Sequence, residues 1–155
     1  MKKDYQYINI SFIFLSCFVL LSCSSPIKQS ANEIILMFKS SEDINPNING
    51  RPSPVDVHIF QLKNVNTFNQ STFNDLYTKA PDVFGKDFIS EHKFEISIHQ
   101  SNDFILTIDP NARYLGFIVA YYDLKKAKWR EIIALSEIQN ERVMVNLNAL
   151  DFSIN

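Results

Sequence analysis

Few side chains in this sequence are placed to do chemistry together. His58 follows Asp56 by two positions, so on an extended segment both point to one face, and Ser53 lies just upstream. A serine hydrolase would need these three within hydrogen-bonding reach and an oxyanion nest beside them. No nucleophile elbow or Gly-rich turn accompanies them. With only three glycines, Gly50, Gly85 and Gly116, there is no phosphate-cradling loop either. The reading favoured for Asp56 and His58 is a solvated pair on a strand edge. His92 and His99 are an odd number of positions apart, which sends them to opposite faces of one strand and away from a shared metal. Glu42, Asp43, Asn45, Asn47 and Asn49 set oxygen ligands at alternate positions, as a calcium loop does. The bidentate Glu expected six residues beyond the glycine is replaced by Asp56, so the string reads as an Asn-rich turn. Lys125, Lys126, Lys128 and Arg130 form a basic cluster, expected at a solvated hairpin tip that can guide an acidic partner. Catalysis, metal binding and a cofactor are therefore not expected, and recognition is the function left.

The N-terminus carries a different signal. Lys2 and Lys3 precede an apolar run over residues 8–21 and the sequence Leu20-Leu21-Ser22-Cys23. This is the charged, apolar and small-residue order of a cleavable export signal, and the run is short for a membrane span of about 20 residues. An uncleaved anchor helix is the lesser alternative. Leu-Leu-Ser-Cys resembles the bacterial lipobox, in which the cysteine is acylated and becomes the first mature residue. Ser24 stands where Asp would signal retention at the inner membrane, which implies the outer membrane. The expected organisation is a signal peptide over 1–22, acylated Cys23 with a tether over 23–31, and a domain over 32–155. The eight residues after Cys23 reach roughly 25–30 Å fully extended, so the domain stays close to the membrane, facing the periplasm. The other cysteine, Cys17, leaves with the signal, so the mature domain has no disulfide and is stabilised by packing.

The elements that would position any site read as mostly strands. The 155 residues are 46% hydrophobic, with thirteen Phe and six Tyr, enough for one core. A net charge of -2 supplies no field for a polyanion, so nucleic acid is not an expected partner. Residues 33–39 form a continuous apolar run, read as the first strand. A loop over 45–54 follows, stiffened by Pro46, Pro52 and Pro54. In the second strand, 55–62, Val55, Val57 and Ile59 share one face, and Asp56 and His58 share a partly wet opposite face. Between 66 and 90 the period becomes helical. Ser71 is the expected N-cap, Pro81 the stop, and Val83, Phe84 and Phe88 a second short helix. The aromatic side chains of this insert are expected to cover an open sheet face rather than to form a docking surface. Strands at 92–99, 104–108, 114–122, 129–135 and 142–147 complete seven, with Gly116 marking a close approach inside a central strand. Seven short strands without βαβ alternation predict an all-β fold, an antiparallel two-sheet β-sandwich with a small helical insert at about 68–90.

Several words of the sequence carry a resemblance. RPSPV at 51–55, FQLK at 60–63, FNDLY at 73–77, YLGFIVAYYDL at 114–124 and KWR at 128–130 resemble the outer-membrane lipoprotein of the bacterial type VI secretion system, the TssJ (SciN, VasD) family. The similarity runs from about Glu33 to the end. It implies a transthyretin-like sandwich with an added helical element, no enzymatic activity, and anchoring of a trans-envelope complex to the outer membrane through acylated Cys23. It also implies that the loop between the first two strands binds the periplasmic C-terminal domain of TssM, the large inner-membrane subunit. On this chain that loop is 41–54, and the partner-binding residues are Asp43, Asn45, Asn47, Asn49, Gly50, Arg51, Pro52, Ser53 and Pro54. No small-molecule substrate is expected. The runner-up is a periplasmic lipoprotein that carries a small apolar ligand in a cavity lined by Phe94, Phe104 and Phe117. A hydrolase using Ser53, Asp56 and His58 is the enzyme alternative.

Overall fold

The computed structural model describes residues 32–99, 101–139 and 141–155; the export signal, Cys23 and the tether expected before them lie outside the described residues. Strands β1 (Glu33–Ser40) and β2 (Val55–Leu62) come first, followed by helices α1 (Asn66–Gln70) and α2 (Phe73–Phe84) and a 3-10 turn, Gly85–Asp87. Strands β3 (Phe88–Ile96), β4 (Ser101–Thr107), β5 (Tyr114–Val119), β6 (Arg130–Ala134), β7 (Arg142–Leu147) and β8 (Phe152–Ile154) complete the chain, with a second 3-10 turn at Leu135–Glu137. They form two four-stranded sheets, ordered β4-β1-β7-β8 and β3-β2-β5-β6. The fold is all-β with a small helical insert, as the sequence predicts.

Two features of the sheets differ from expectation. Strand β8 is an eighth strand among the described residues, too short to show a period, and it pairs Phe152 with Leu147. The first sheet is also not wholly antiparallel, because β1 runs antiparallel to β4 but parallel to β7. A parallel pair needs a long connection, and the whole second sheet lies in the chain between these two strands.

Alternation along β1 buries Ile34, Leu36 and Phe38 between the sheets, where they meet Val55, Val57 and Ile59 of β2 and Leu115, Phe117 and Val119 of β5. The other face of β2 is the surprise. Only Asp56 on it is half-exposed; beyond, it carries Phe60 and Leu62 into a second cluster with Ile118 of β5 and with Phe68, Leu76, Ala80 and Phe84 of the helical insert. The insert covers the outer face of this sheet, and β2 is buried on both sides. His58 is only 3% exposed as a result.

Local rules decide the insert's ends. Thr72, not Ser71, caps α2: its Oγ1 accepts from the Asp75 N–H at 3.2 Å, with Asp75 in the first turn. The Ser71 hydroxyl instead donates back to the Thr67 carbonyl at the end of α1. The first helical run breaks at Lys79, two residues before the expected stop at Pro81. Lys79 leaves helical geometry (φ -145°, ψ 31°), so α2 is two helical runs joined at a kink, which accommodates the proline ring, and the second run carries Val83 and Phe84. Phe88 begins β3 rather than extending a helix. Strand β3 ends at Ile96, so His99 lies in the turn beyond it, at φ 56°, and not on the strand of His92.

Two contacts fix α1 to the sheet. The Arg130 guanidinium donates to the Phe68 and Ser71 carbonyls at 3.3 and 3.1 Å, so this member of the basic cluster is a structural staple rather than a solvated tip. Gly116 provides the room. A Cβ there would sit 2.7 Å from the Phe68 ring, the close approach its place in a central strand predicts. Gly116→Ala is expected to lower stability by about 1–3 kcal/mol in urea unfolding, because the buried ring has nowhere to move. Adding Phe68→Leu should recover part of the loss, and a coupling of zero would show that the two do not oppose each other.

Candidate functional site

The loop over residues 41–54 leaves β1 and enters β2, and its backbone is hydrogen-bonded at almost every step. Ser41 N–H donates to the Leu147 carbonyl and Asn45 N–H to the Ala149 carbonyl, at 2.8 and 3.1 Å, tying the loop to the end of β7 and the segment after it. Ser53 N–H donates to the Ile44 carbonyl at 3.1 Å, which closes the loop on itself. Ile44 is fully buried and plugs the loop into the core between the sheets.

Asn45 acts as the bolt. It is 5% exposed and holds a left-handed backbone (φ 45°), which asparagine tolerates better than most residues. Its Nδ2 donates to the Pro54 carbonyl at 2.7 Å, and its Oδ1 accepts from the Tyr122 N–H at 2.6 Å. One side chain thus joins both ends of the loop to the segment after β5. Asn47 organises the tip: its Oδ1 accepts from the Asn49 and Arg51 N–H groups at 2.9 and 3.1 Å, and its carbonyl accepts from Gly50 N–H at 2.8 Å. Residues 47–50 are therefore a tight turn, with Gly50 at φ 71°. Asp43 accepts from the Ser41 hydroxyl at 2.6 Å.

The surface of the loop follows from this bonding. Asp43, Asn49, Gly50, Arg51 and Pro54 are exposed, Asn47, Pro52 and Ser53 are half-buried, and Asn45 is inside. The residue the sequence reading passed over is Ile48, an apolar side chain 82% exposed at the corner of the turn. Its signal was present in the sequence, a lone isoleucine between Asn47 and Asn49, two residues before Gly50. Tyr122, 62% exposed, stands on the segment that Asn45 bolts to the loop. The fold therefore offers two exposed apolar side chains on one hydrogen-bonded framework, with Arg51 and Asp43 exposed on the same loop as Ile48.

The other candidates do not assemble. The Ser53 hydroxyl donates to the Arg51 carbonyl at 3.4 Å, and Asp56 accepts from the Tyr77 hydroxyl at 2.7 Å. His58 lies under α2, stacked on Tyr77 with ring centroids 4.6 Å apart. Its Nδ1 lies 2.9 Å from Glu91 Oε1, close but without hydrogen-bond alignment. Lys93 reaches the same oxygen at 3.3 Å. Burial lowers the His58 pKa, with Lys93 acting in the same direction, and together they outweigh the opposing pull of Glu91 and Asp56. In the calcium-like string the Asp43, Asn45 and Asn47 side-chain oxygens already accept hydrogen bonds, and among the described residues no three His, Cys, Asp or Glu side chains converge for a metal. Phe117 is fully buried in the core, whereas Phe94 and Phe104 line an open groove with Phe38, so the three do not share a cavity.

The architecture places the chain among two-sheet β-sandwiches that carry a helical insert on one sheet. Among solved structures it is similar to the type VI secretion lipoprotein TssJ1 from Pseudomonas aeruginosa, at TM-score 0.76 and 23% identity over 79% of this chain and 94% of that one. It is similar to Serratia marcescens Lip, a membrane-bound component of the type VI secretion system, at 0.72 and 18% over 79% and 96%. A chain in the structure of the T6SS protein TssM C-terminal domain (869–1107) from EAEC matches at 0.70 and 21% over 79% and 97%. No curated protein sequence matches significantly. The profile of the family described as "Type VI secretion lipoprotein, VasD, EvfM, TssJ, VC_A0113" matches residues 32–150, and the chain belongs to that family.

Two outcomes follow from this geometry. Asn45→Ala leaves the Tyr122 N–H and the Pro54 carbonyl without their partner, and is expected to cost about 1–3 kcal/mol and to speed exchange of the Tyr122 amide. Unchanged exchange would show that Asn45 does not hold the two segments together. Because folding depresses the His58 pKa, the unfolded chain takes up a proton that the buried ring refuses. Stability should fall as pH drops through the ordinary histidine value of 6.5. Thermal unfolding of His58→Gln between pH 7.5 and 5.5 should show a smaller fall than the native chain.

Proposed function

We propose that this chain is a lipoprotein acylated at Cys23 and held at the periplasmic face of the outer membrane. There its 41–54 loop grips the C-terminal periplasmic domain of a TssM-type inner-membrane subunit and so anchors a trans-envelope secretion complex. The observation that carries this reading is Ile48, an exposed apolar side chain at the tip of a loop whose backbone is locked. A locked loop loses little entropy on docking, and an apolar anchor ringed by polar groups is the usual centre of binding energy at an interface. Family membership and the similarity to a chain in a TssM C-terminal domain structure support the choice of partner.

The fold also suits a clamp. The described chain enters β1 at its N-terminal end, and the loop leaves from the other end of the same strand. Load applied between membrane and partner would pass along β1, which is paired on both sides, by β4 and by β7. Pulling it free requires both ladders to shear together. Several acyl chains make the membrane end effectively permanent, where a single chain would not.

Binding of the purified C-terminal domain of the inner-membrane subunit to the detergent-solubilised full chain tests the grip. Ile48→Asp and Tyr122→Ala should each weaken it at least tenfold, about 1.4 kcal/mol or more, while leaving the domain folded. Cys23→Ser should move the chain from the outer-membrane fraction to the soluble periplasm with binding intact. Undiminished binding by both the Ile48 and the Tyr122 variants, or Cys23→Ser protein that stays with the membrane, would overturn the proposal.

A further inference from the structure

Among the described residues β3 pairs only with β2, and β4 only with β1, so each has a free edge on the same open side of the sandwich. The two edges bound a groove of about 310 Å³. Phe38, 1% exposed, forms its floor, and Phe94 and Phe104, half-buried, form its walls. The Phe94 and Phe104 rings meet edge to face with centroids 4.5 Å apart, and Phe38 stands 5.7 Å from Phe94. Ser40 donates to the Ser97 carbonyl at 3.0 Å, which ties the two sheets together near the turn.

The rim carries a charge. Glu95 on β3 and Asp103 on β4 flank the groove, both exposed, and among the described residues neither has an ion-pair partner. Five of the seven β4 residues, all but Phe104 and Leu106, are exposed, so this edge is open along most of its length. A free edge of this kind is a template for another strand. Added strands gain affinity from main-chain hydrogen bonds and specificity from pockets that take alternate side chains.

We propose that this open edge is a second docking site, separate from the 41–54 loop, for an extended segment of a partner protein. The segment would lie along β4, seat one bulky apolar side chain in the groove against the Phe94 and Phe104 rings, and place a Lys or Arg against Glu95 and Asp103. The groove is at the small end of ligand pockets, roughly 300–1,000 Å³, and holds a side chain better than a whole apolar ligand. The unpaired carboxylates select for a basic neighbour.

Fluorescence anisotropy of a labelled Thr-Lys-Phe-Lys-Thr peptide, capped at both ends, tests this on the detergent-solubilised full chain. Saturable binding is expected, with the Thr-Glu-Phe-Glu-Thr peptide at least tenfold weaker. Glu95→Lys with Asp103→Lys, both at exposed strand positions, should weaken the basic peptide about tenfold at low salt and less at 0.5 M. Phe94→Ala should weaken both peptides, and Ile48→Asp should change neither. The proposal falls if binding is not saturable or if the charge-reversed chain binds as well as the native one. It also falls if a neutral apolar dye displaces the peptide with no dependence on Glu95 and Asp103, which would mark a small-ligand cleft instead.

Discussion

The loop over 41–54 joins the interior of one sheet to the interior of the other, and most of the structure can be read from that constraint. It leaves β1 between β4 and β7 and enters β2 between β3 and β5. A connection between two central strands cannot wander, because both of its ends are fixed by ladders on each side. The chain satisfies its backbone by turning inward at Ile44 and by giving the Asn45 amide to carbonyl and N–H groups on either side. The outcome is a loop hydrogen-bonded to itself and to the segments after β5 and β7. Prolines at 52 and 54 reduce the freedom of the unfolded loop and so lower the cost of that order.

Double burial of β2 has a similar reach. Had its second face been wet, the alternation of Asp56 and His58 would have continued outward through polar residues. It continues instead through Phe60 and Leu62, and two buried aromatic-rich positions need a cover. The helical insert supplies the cover, held by the Arg130 guanidinium on the carbonyls at the end of α1 and by the Phe68 ring on Gly116. His58 is the polar residue caught under that cover. Its neighbours Tyr77, Glu91 and Lys93 hold it in a mixed environment where burial decides the protonation balance.

How much of this could be read in the sequence depended on whether the signal was local. Strand β1 announces itself as an apolar run, and β2 and β7 have the boundaries their alternation gives. Gly116 reads correctly because a glycine inside an apolar strand has few other reasons to be there. The parallel pairing of β1 with β7 leaves no local mark, since both partners look the same whichever way they run. The burial of His58 was hidden for the same reason: it depends on a helix whose contact with β2 is made in space. Capping failed by one residue because Ser71 and Thr72 are chemically equivalent caps, and only the geometry of the turn between α1 and α2 separates them. In the candidate loop the backbone-shaping residues were legible, while the outward side chain was not. Asparagines and prolines advertise turns, but an isoleucine among them advertises burial, and Ile48 does the opposite.

That inversion explains how such a fold can keep its shape at 23% identity or less to its structural relatives. A core of this kind requires apolar volume at alternating positions and tolerates exchange among Ile, Val, Leu and Phe. The loop is under a different demand. Its buried positions, Ile44 and Asn45, answer to the sandwich, whereas the side chains of Ile48 and Arg51 are exposed. Their side chains add nothing to its stability that a polar residue would not. An exposed isoleucine at a turn corner is neutral or mildly unfavourable for the free domain. Covering by a docked partner, as proposed for this loop, would make it favourable.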